Sequence, residues 1–292
     1  MSLFLSVLEQ GLIYAILALG VYITFKILDF PDMSVDATFP LGAAVTALMI
    51  EKGANPLLAL PVSVLCGALA GMLTGVIHVK LHVRDLLSGI IVMTGLYSVN
   101  LHIAGRANVQ LFTFNTMFKN LLISSLPRSV QVYAPVLILA VLTLAVKLLL
   151  DAYLSTRSGY LLRATGDNPT LVASLAKDSG KVKILGLAIA NALVALSGSV
   201  MCQYQRYADI TMGTGTLVLA VASVIVGTQL LQGMRFLGPT LCVIIGSILY
   251  KGCVALALNM GLSPFDLKLV TAVLLLIIIV AGGHRKKVKR HA

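Results

Sequence analysis

Polar groups set inside apolar runs are the residues of this chain that could do chemistry, because an ionisable or amide side chain is costly there unless it serves a purpose. They are few: Asp36 with Thr38 beside it, Asn100, Asn191 and, near the edge of a run, Gln203. Thr94, Tyr97 and Ser98 fall at i, i+3 and i+4, which puts them on one helix face, and Asn100 follows in the same run. Such a stripe either lines a path for a solute or hydrogen-bonds a neighbouring helix. An ion-coupled carrier would need more buried carboxylates or an ion cage, and Asp36 alone is thin support for one.

Other chemistries find little to work with. His78 and His82 are four apart, yet no Glu follows His78 as a zinc hydrolase needs. With Lys80 and Arg84 around them they read as wet residues at a membrane edge, and no metal site is expected. Neither a Ser–Lys pair, a catalytic Asp pair nor a Cys–His arrangement stands out, so the chain is not expected to be an enzyme. No segment reads G-x-x-x-x-G-K-[ST], and Gly213-Thr-Gly215 lacks the third glycine of a dinucleotide loop. If ATP drives this protein, ATP and Mg belong to a separate polypeptide. The cysteines, Cys66, Cys202, Cys242 and Cys253, form no Cys-x-x-Cys pair and read as core residues.

The elements that position these groups are membrane spans. Of 292 residues, 58% are hydrophobic and 11% charged, against roughly a quarter charged in soluble domains, so polar surface for a water-soluble core is missing. About twenty apolar residues cross a bilayer. Windows of that kind lie near 8–28, 37–50, 56–79, 86–105, 132–150, 184–203, 215–232, 237–258 and 268–282. The expectation is a single all-α, polytopic domain over 1–292 with about nine transmembrane helices. The second window is short and opens on Asp29-Phe-Pro-Asp-Met-Ser-Val-Asp36, which suits a broken or re-entrant helix. The first run, without a basic leader or cleavage site, reads as a retained helix.

The net charge of +11 would suggest nucleic acid in a soluble domain, but the basic residues sit largely between apolar runs and in the 284–292 tail. They read as topology signals, with no nucleic-acid partner. A cytoplasmic tail puts 151–183 inside and the N-terminus outside, and leaves only Lys52, Arg106, Lys119, Arg128, Arg206, Lys251 and Lys268 on the far side. The outer connection, 106–131, carries Phe112, Phe114, Met117, Phe118 and Leu121 at spacing compatible with a short amphipathic helix. The inner one, 151–183, is either a docking surface for a cytoplasmic protein or a solvated loop. Gly67, Gly71 and Gly75 form overlapping small-xxx-small steps for close helix packing, and Gly198 sits in a fainter echo of them. The two host helices run in opposite directions in this topology, as an inverted pseudo-repeat requires.

The stretch Gly11 to Gly20, followed by Asp29 to Gly42, resembles the opening of ABC importer permeases of the branched-chain amino acid and ribose type. Ser158-Gly-Tyr-Leu-Leu-Arg163-Ala-Thr-Gly166-Asp167-Asn168-Pro, then Ala173-Ser-Leu-Ala-Lys-Asp and Ala195-Leu-Ser-Gly198, is similar to that family's cytoplasmic R-A-x-G-x-N segment and the helix after it. The similarity runs through nearly the whole chain and is strongest to permeases paired with a substrate-binding lipoprotein, some associated with aromatic amino acids. The resemblance implies a homodimeric channel in a bacterial inner membrane, with two cytoplasmic ATPase subunits and an external binding protein. It further implies that Arg163, Gly166, Asp167, Asn168 and Ala173 couple the chain to the ATPase. Asn168-Pro169 suits the start of a short coupling helix. Asp36, Thr38, Thr94, Tyr97, Ser98, Asn100 and Asn191 are the candidates for the translocation path. The acidic Asp29, Asp32 and Asp36 depart from the family's usual Asn-x-x-x-Gly-type stretch. With no charged trap in the spans beyond Asp36, selectivity is expected to reside in the binding protein. The alternative reading is an ion-coupled secondary transporter.

Overall fold

The computed structural model describes residues 2–119, 131–168, 178–231 and 238–259, with Val172, Leu269, 271–273 and Leu276 besides. The helices are α1 (Ser2–Val21), continued by a π-helical segment Tyr22–Ile27, α2 (Val35–Glu51), α3 (Pro56–Lys80), α4 (Asp85–Ala104), α5 (Ala134–Leu154), α6 (Arg157–Asp167), α7 (Ser179–Gln205), α8 (Thr216–Leu230) and α9 (Pro239–Asn259). Two short strands, β1 (Asn108–Gln110) and β2 (Tyr207–Asp209), and a 3-10 turn, Ile210–Gly213, complete the described elements.

Seven helices are long and apolar enough to cross a membrane among the described residues, fewer than the nine expected. Two differences account for the gap. The second expected span is α2, whose 17 residues rise only about 26 Å, short of the ~30 Å hydrocarbon core. The ninth, 268–282, falls largely outside the described residues. The outer connection differs as well. Where an amphipathic helix was expected, Asn108, Val109 and Gln110 pair antiparallel with Asp209, Ala208 and Tyr207. Residues 111–119 form turns, with a bridge between Thr116 and Lys119. Phe118 meets Tyr204 edge-on at 5.9 Å, whereas Phe112 is exposed.

Helix α7 is the centre of the molecule, buried along most of its length against α1, α2 and α3. Lipid offers apolar side chains nothing they lack in a protein core, so helices here associate through close backbone approach and interhelical hydrogen bonds. A Cβ at Gly67 would collide with Ala195 and the Asn191 carbonyl, one at Gly71 with the Leu187 carbonyl, and one at Gly75 would lie 2.8 Å from Ile184 Cα. That descending register makes α3 and α7 antiparallel. Gly198 lies against the Phe39 carbonyl of α2 rather than against α3, so it has a different partner from the glycines it echoes. The pseudo-repeat is accordingly not visible at the level of packing partners. Thr46 Oγ1 joins Ser63 Oγ at 3.0 Å and Ser199 Oγ at 2.6 Å, tying α2, α3 and α7 through hydroxyls that would otherwise be unsatisfied in an apolar interior.

Between the π-helical segment and α2 the chain is irregular, and such backbone survives at depth only where protein covers it. The cover is a polar knot. Asp32 Oδ1 accepts from the Ser34 N–H at 2.9 Å and the Ser34 hydroxyl at 2.6 Å, and its Oδ2 accepts from Asn191 Nδ2 at 2.7 Å. At the far end Glu51 pairs with Arg106, joining the C-terminal ends of α2 and α4. The exposed residues of α3 and α5, such as Leu65, Leu69, Val141 and Leu148, are large and apolar, as a lipid-facing surface requires.

Candidate functional site

Helix α4 presents Met93, Thr94, Tyr97, Ser98 and Asn100 to a cavity of about 480 Å³ whose other walls are Asp36, Ala37 and Pro40 from the first turns of α2, and Ile210, Thr211 and Thr214. Of the expected path residues, the fold thus gathers Asp36, Thr94, Tyr97, Ser98 and Asn100 around one space. Two others do not line it. Thr38 is buried and gives its hydroxyl to the Ser34 carbonyl at 2.9 Å, while Asn191 belongs to the Asp32 knot. Both sit on packed faces of α2 and α7, which explains the difference from expectation: their depth, not their facing, was legible.

Helix starts build the site. Asp36 Oδ2 accepts from the Gly215 N–H at 3.0 Å, and its Oδ1 accepts from the Leu217 N–H at 2.8 Å and the Thr216 hydroxyl at 3.1 Å. The carboxylate of α2 therefore caps α8, satisfying amides that have no partner of their own and facing the positive end of its dipole. Pro40, four residues on, has no N–H to offer the Asp36 carbonyl. Gly213 fits against that carbonyl because it has no side chain. The charge predicted as a translocation residue thus has a structural partner as well.

Asn100 is wholly buried. Its Nδ2 donates to the Ala37 carbonyl at 2.9 Å, and its Oδ1 has no partner among the described residues.

Two more features concern the start of α7 and the helix before it, α6. Thr156 caps α6, its hydroxyl accepting from the Gly159 N–H at 3.3 Å. One face of α6 is buried through Gly159, Leu162 and Thr165, and Gly166 rests on the Ile27 carbonyl, where a Cβ would collide. The other face exposes Tyr160, Arg163 and Asp167 at i, i+3 and i+7. Asn168 ends this helix, and the Val172 N–H reaches its carbonyl at 3.4 Å. Ala173 lies outside the described residues. Asp178 begins α7, accepting from the N–H groups of Gly180 and Lys181 at 3.0 and 3.2 Å. The Lys181 N–H above all holds that carboxyl below the usual carboxylate range.

The structure also contains buried polar contacts that the sequence reading passed over. Asp32 is the main one; its signal was a third aspartate in the Asp29–Asp36 run. Glu9 accepts from the Tyr204 hydroxyl at 2.7 Å, and Lys251 Nζ lies 3.8 Å from the centre of the Tyr14 ring. A lysine within an apolar run was visible, but not the aromatic face that receives it. His78 places its Nδ1 2.9 Å from the Val83 carbonyl and its Nε2 3.4 Å from Lys183 Nζ. No group of three or more metal-binding side chains occurs among the described residues. The cysteines are free, and Cys253 is exposed rather than packed in the core.

The cavity thus lies where two short helices, α2 and α8, begin in an all-α, multi-pass membrane protein. The chain belongs to the family described as "branched-chain amino acid transport system / permease component", which matches residues 3–281, and is thus an ABC importer-type permease. It is 42% identical to the tyrosine transport system permease protein of Clostridioides difficile, over 94% of this chain and 90% of that protein. It is 27% identical to the ribose import permease protein RbsC of Escherichia coli K12, over 92% of this chain and 82% of the relative. A probable branched-chain amino acid transport permease protein, LivH of Methanocaldococcus jannaschii, is 24% identical over 78% of this chain and 75% of its own length. No solved structure matches.

Proposed function

We propose that this chain is the channel-forming subunit of an ATP-driven importer for a small solute, an amino acid of aromatic type, in a bacterial inner membrane with its C-terminus cytoplasmic. It works as a homodimer with two cytoplasmic ATPase subunits, which bind the ATP and Mg, and with an external substrate-binding lipoprotein that delivers the solute. The chain itself carries no cofactor and no catalytic residue.

The observation that carries this reading is α6, a helix with one face clamped onto the π-helical segment through Gly166 and the other exposing Tyr160, Arg163 and Asp167. A push on that exposed face is transmitted through Ile27 to the irregular link that leads into α2, and so to the cavity wall at Asp36. ATP-driven closure of the ATPase pair then rocks the spans between inward-open and outward-open states. The similarity to a tyrosine transport permease supports an aromatic amino acid as cargo. The test is purification of the tagged chain from native membranes. A P-loop ATPase should appear in stoichiometric amount, and Arg163→Ala or Asp167→Ala should release it while the permease stays folded. A stable permease without any ATPase would instead identify an ion-coupled carrier.

A further inference from the structure

Where α3 ends and α4 and α7 begin, the chain forms a second cavity, of about 610 Å³, whose walls include His78, His82, Arg84 and Lys183. The turn from α3 to α4 is tight, with His82 in the left-handed region at φ +54°, and it brings both histidines and the arginine to one rim. The Val83 carbonyl can only accept, so His78 Nδ1, 2.9 Å away, carries the hydrogen, and Nε2 of the neutral ring is left as an acceptor. That nitrogen receives Lys183 Nζ at 3.4 Å. An ammonium brings three donors, so two of them are left over. Arg84 and His82 are exposed, and neither side chain has a partner among the described residues.

Two carboxylates line the same space, but neither answers these cations. Asp178 accepts from the N–H groups of Gly180 and Lys181 and pairs with Lys181 Nζ at 3.5 Å. Asp85 stands in the first turn of α4, against the positive end of its own helix. Among the described residues no carboxylate comes within 4.0 Å of Arg84 or Lys183. The surroundings are those of a membrane boundary. Helices α3, α4 and α7 are all long and apolar enough to span, and the cavity lies at their ends, with the large side chains of Leu81, Leu86 and Leu87 exposed beside it. Unpaired cations next to exposed leucines suit a molecule that is anionic at its head and apolar below it.

We propose that this cavity holds the phosphate head of an anionic phospholipid, with Arg84 and Lys183 as its counter-charges and its acyl chains along Leu81, Leu86 and Leu87. A phosphodiester offers acceptors and negative charge, and a guanidinium meets it with a fork of donors. A zwitterionic lipid carries the same phosphate together with a cation that competes with Arg84 and Lys183. A bound lipid ties the α3–α4 turn to α7, the central helix. The leaflet is the cytoplasmic one in the orientation proposed above, and only that assignment of side rests on the importer reading.

The test is binding of fluorescent short-chain phosphatidylglycerol to the delipidated, full-length chain in mild detergent, followed by anisotropy, with unlabelled phosphatidylglycerol, phosphatidylcholine and glycerol 3-phosphate as competitors. Phosphatidylglycerol should compete at least about tenfold more strongly than phosphatidylcholine, and glycerol 3-phosphate not below about 10 mM. Arg84→Gln with Lys183→Gln should weaken phosphatidylglycerol binding at least about tenfold, at roughly fivefold for each basic residue. Lys26→Gln with Arg157→Gln removes two exposed cations from the same end of the molecule but outside the cavity, and should change binding by less than about twofold. Equal competition by the two lipids would overturn the proposal, and so would equal loss in the two double variants, which is the behaviour of diffuse surface charge. Glycerol 3-phosphate as strong as the lipid would overturn it in favour of a soluble anion. If the Arg84 and Lys183 variant does not fold, the competitor series on the unaltered chain still decides. The assay involves no ATPase, so its failure leaves the importer reading in place, and a permease purified without an ATPase leaves the lipid site in place.

Discussion

Two aspartates lie four residues apart, Asp32 in the link before α2 and Asp36 in its first turn, each near a buried asparagine of another helix, and they are built to opposite ends. Around Asp32 the carboxylate takes two donors from Ser34 and one from Asn191, Asn191 also donates to the Leu187 carbonyl at 3.2 Å, and its Oδ1 lies 3.3 Å from the Ser34 hydroxyl. Around Asp36 the carboxylate is partly spent on capping α8, and the buried Asn100 Oδ1 has no partner among the described residues. A fully satisfied buried network holds one arrangement and offers nothing to a solute. One that is incomplete carries a cost until something fills it. The first is a fastening for irregular backbone; the second caps a helix beside the cavity that is proposed as part of the solute path.

The contrast can be broken in stages. Asn191→Leu should have the largest effect, about 3 kcal/mol of stability, because it strips a donor from a buried carboxylate. It should show as a marked drop in the thermal unfolding midpoint in detergent. Adding Asp32→Leu to it should recover a good part of that loss, since the cost lies in the unpaired charge rather than in missing contacts. Gly71→Leu attacks the same knot from behind, as a Cβ there would come 2.8 Å from Asn191 Cβ and into the Leu187 carbonyl. About 2 kcal/mol is expected, read as reduced yield and a lower unfolding midpoint; unchanged behaviour would mean that this face of α3 is not packed against α7.

Smaller effects belong to the open pair. Asp36→Ala removes a helix cap and should cost about 1 kcal/mol in the same assay while impairing transport more than that figure suggests. Asn100→Leu gives up one hydrogen bond but also an unsatisfied oxygen, so stability should change by less than about 1 kcal/mol in the same assay. A stability loss as large as that of Asn191→Leu would erase the distinction between the two sites. Arg163→Ala, far from both and exposed, should leave stability within about 0.5 kcal/mol and act only on ATPase coupling.

Composition and hydropathy alone dictated a multi-pass helical protein, since 11% charged residues cannot clothe a soluble fold, and they located most spans to within a few residues. The polar stripe of α4 was legible because helical periodicity places Thr94, Tyr97 and Ser98 on one face whatever that face meets. Periodicity is silent on partners. It could not separate Asn191, bonded to Asp32, from Asn100, bonded to the Ala37 carbonyl, since both are simply amides inside apolar runs. It also found in the 106–131 connection spacing compatible with a short amphipathic helix and no strand, because the edge that pairs with Asn108–Gln110 comes from residues about a hundred positions later in the chain. The short α2, the capping of α8 by Asp36 and the clamp of Gly166 on Ile27 were likewise decided by tertiary structure. The physical reason is common to them all: a local pattern determines which groups must be satisfied or buried, and only the packed chain determines which distant group does it.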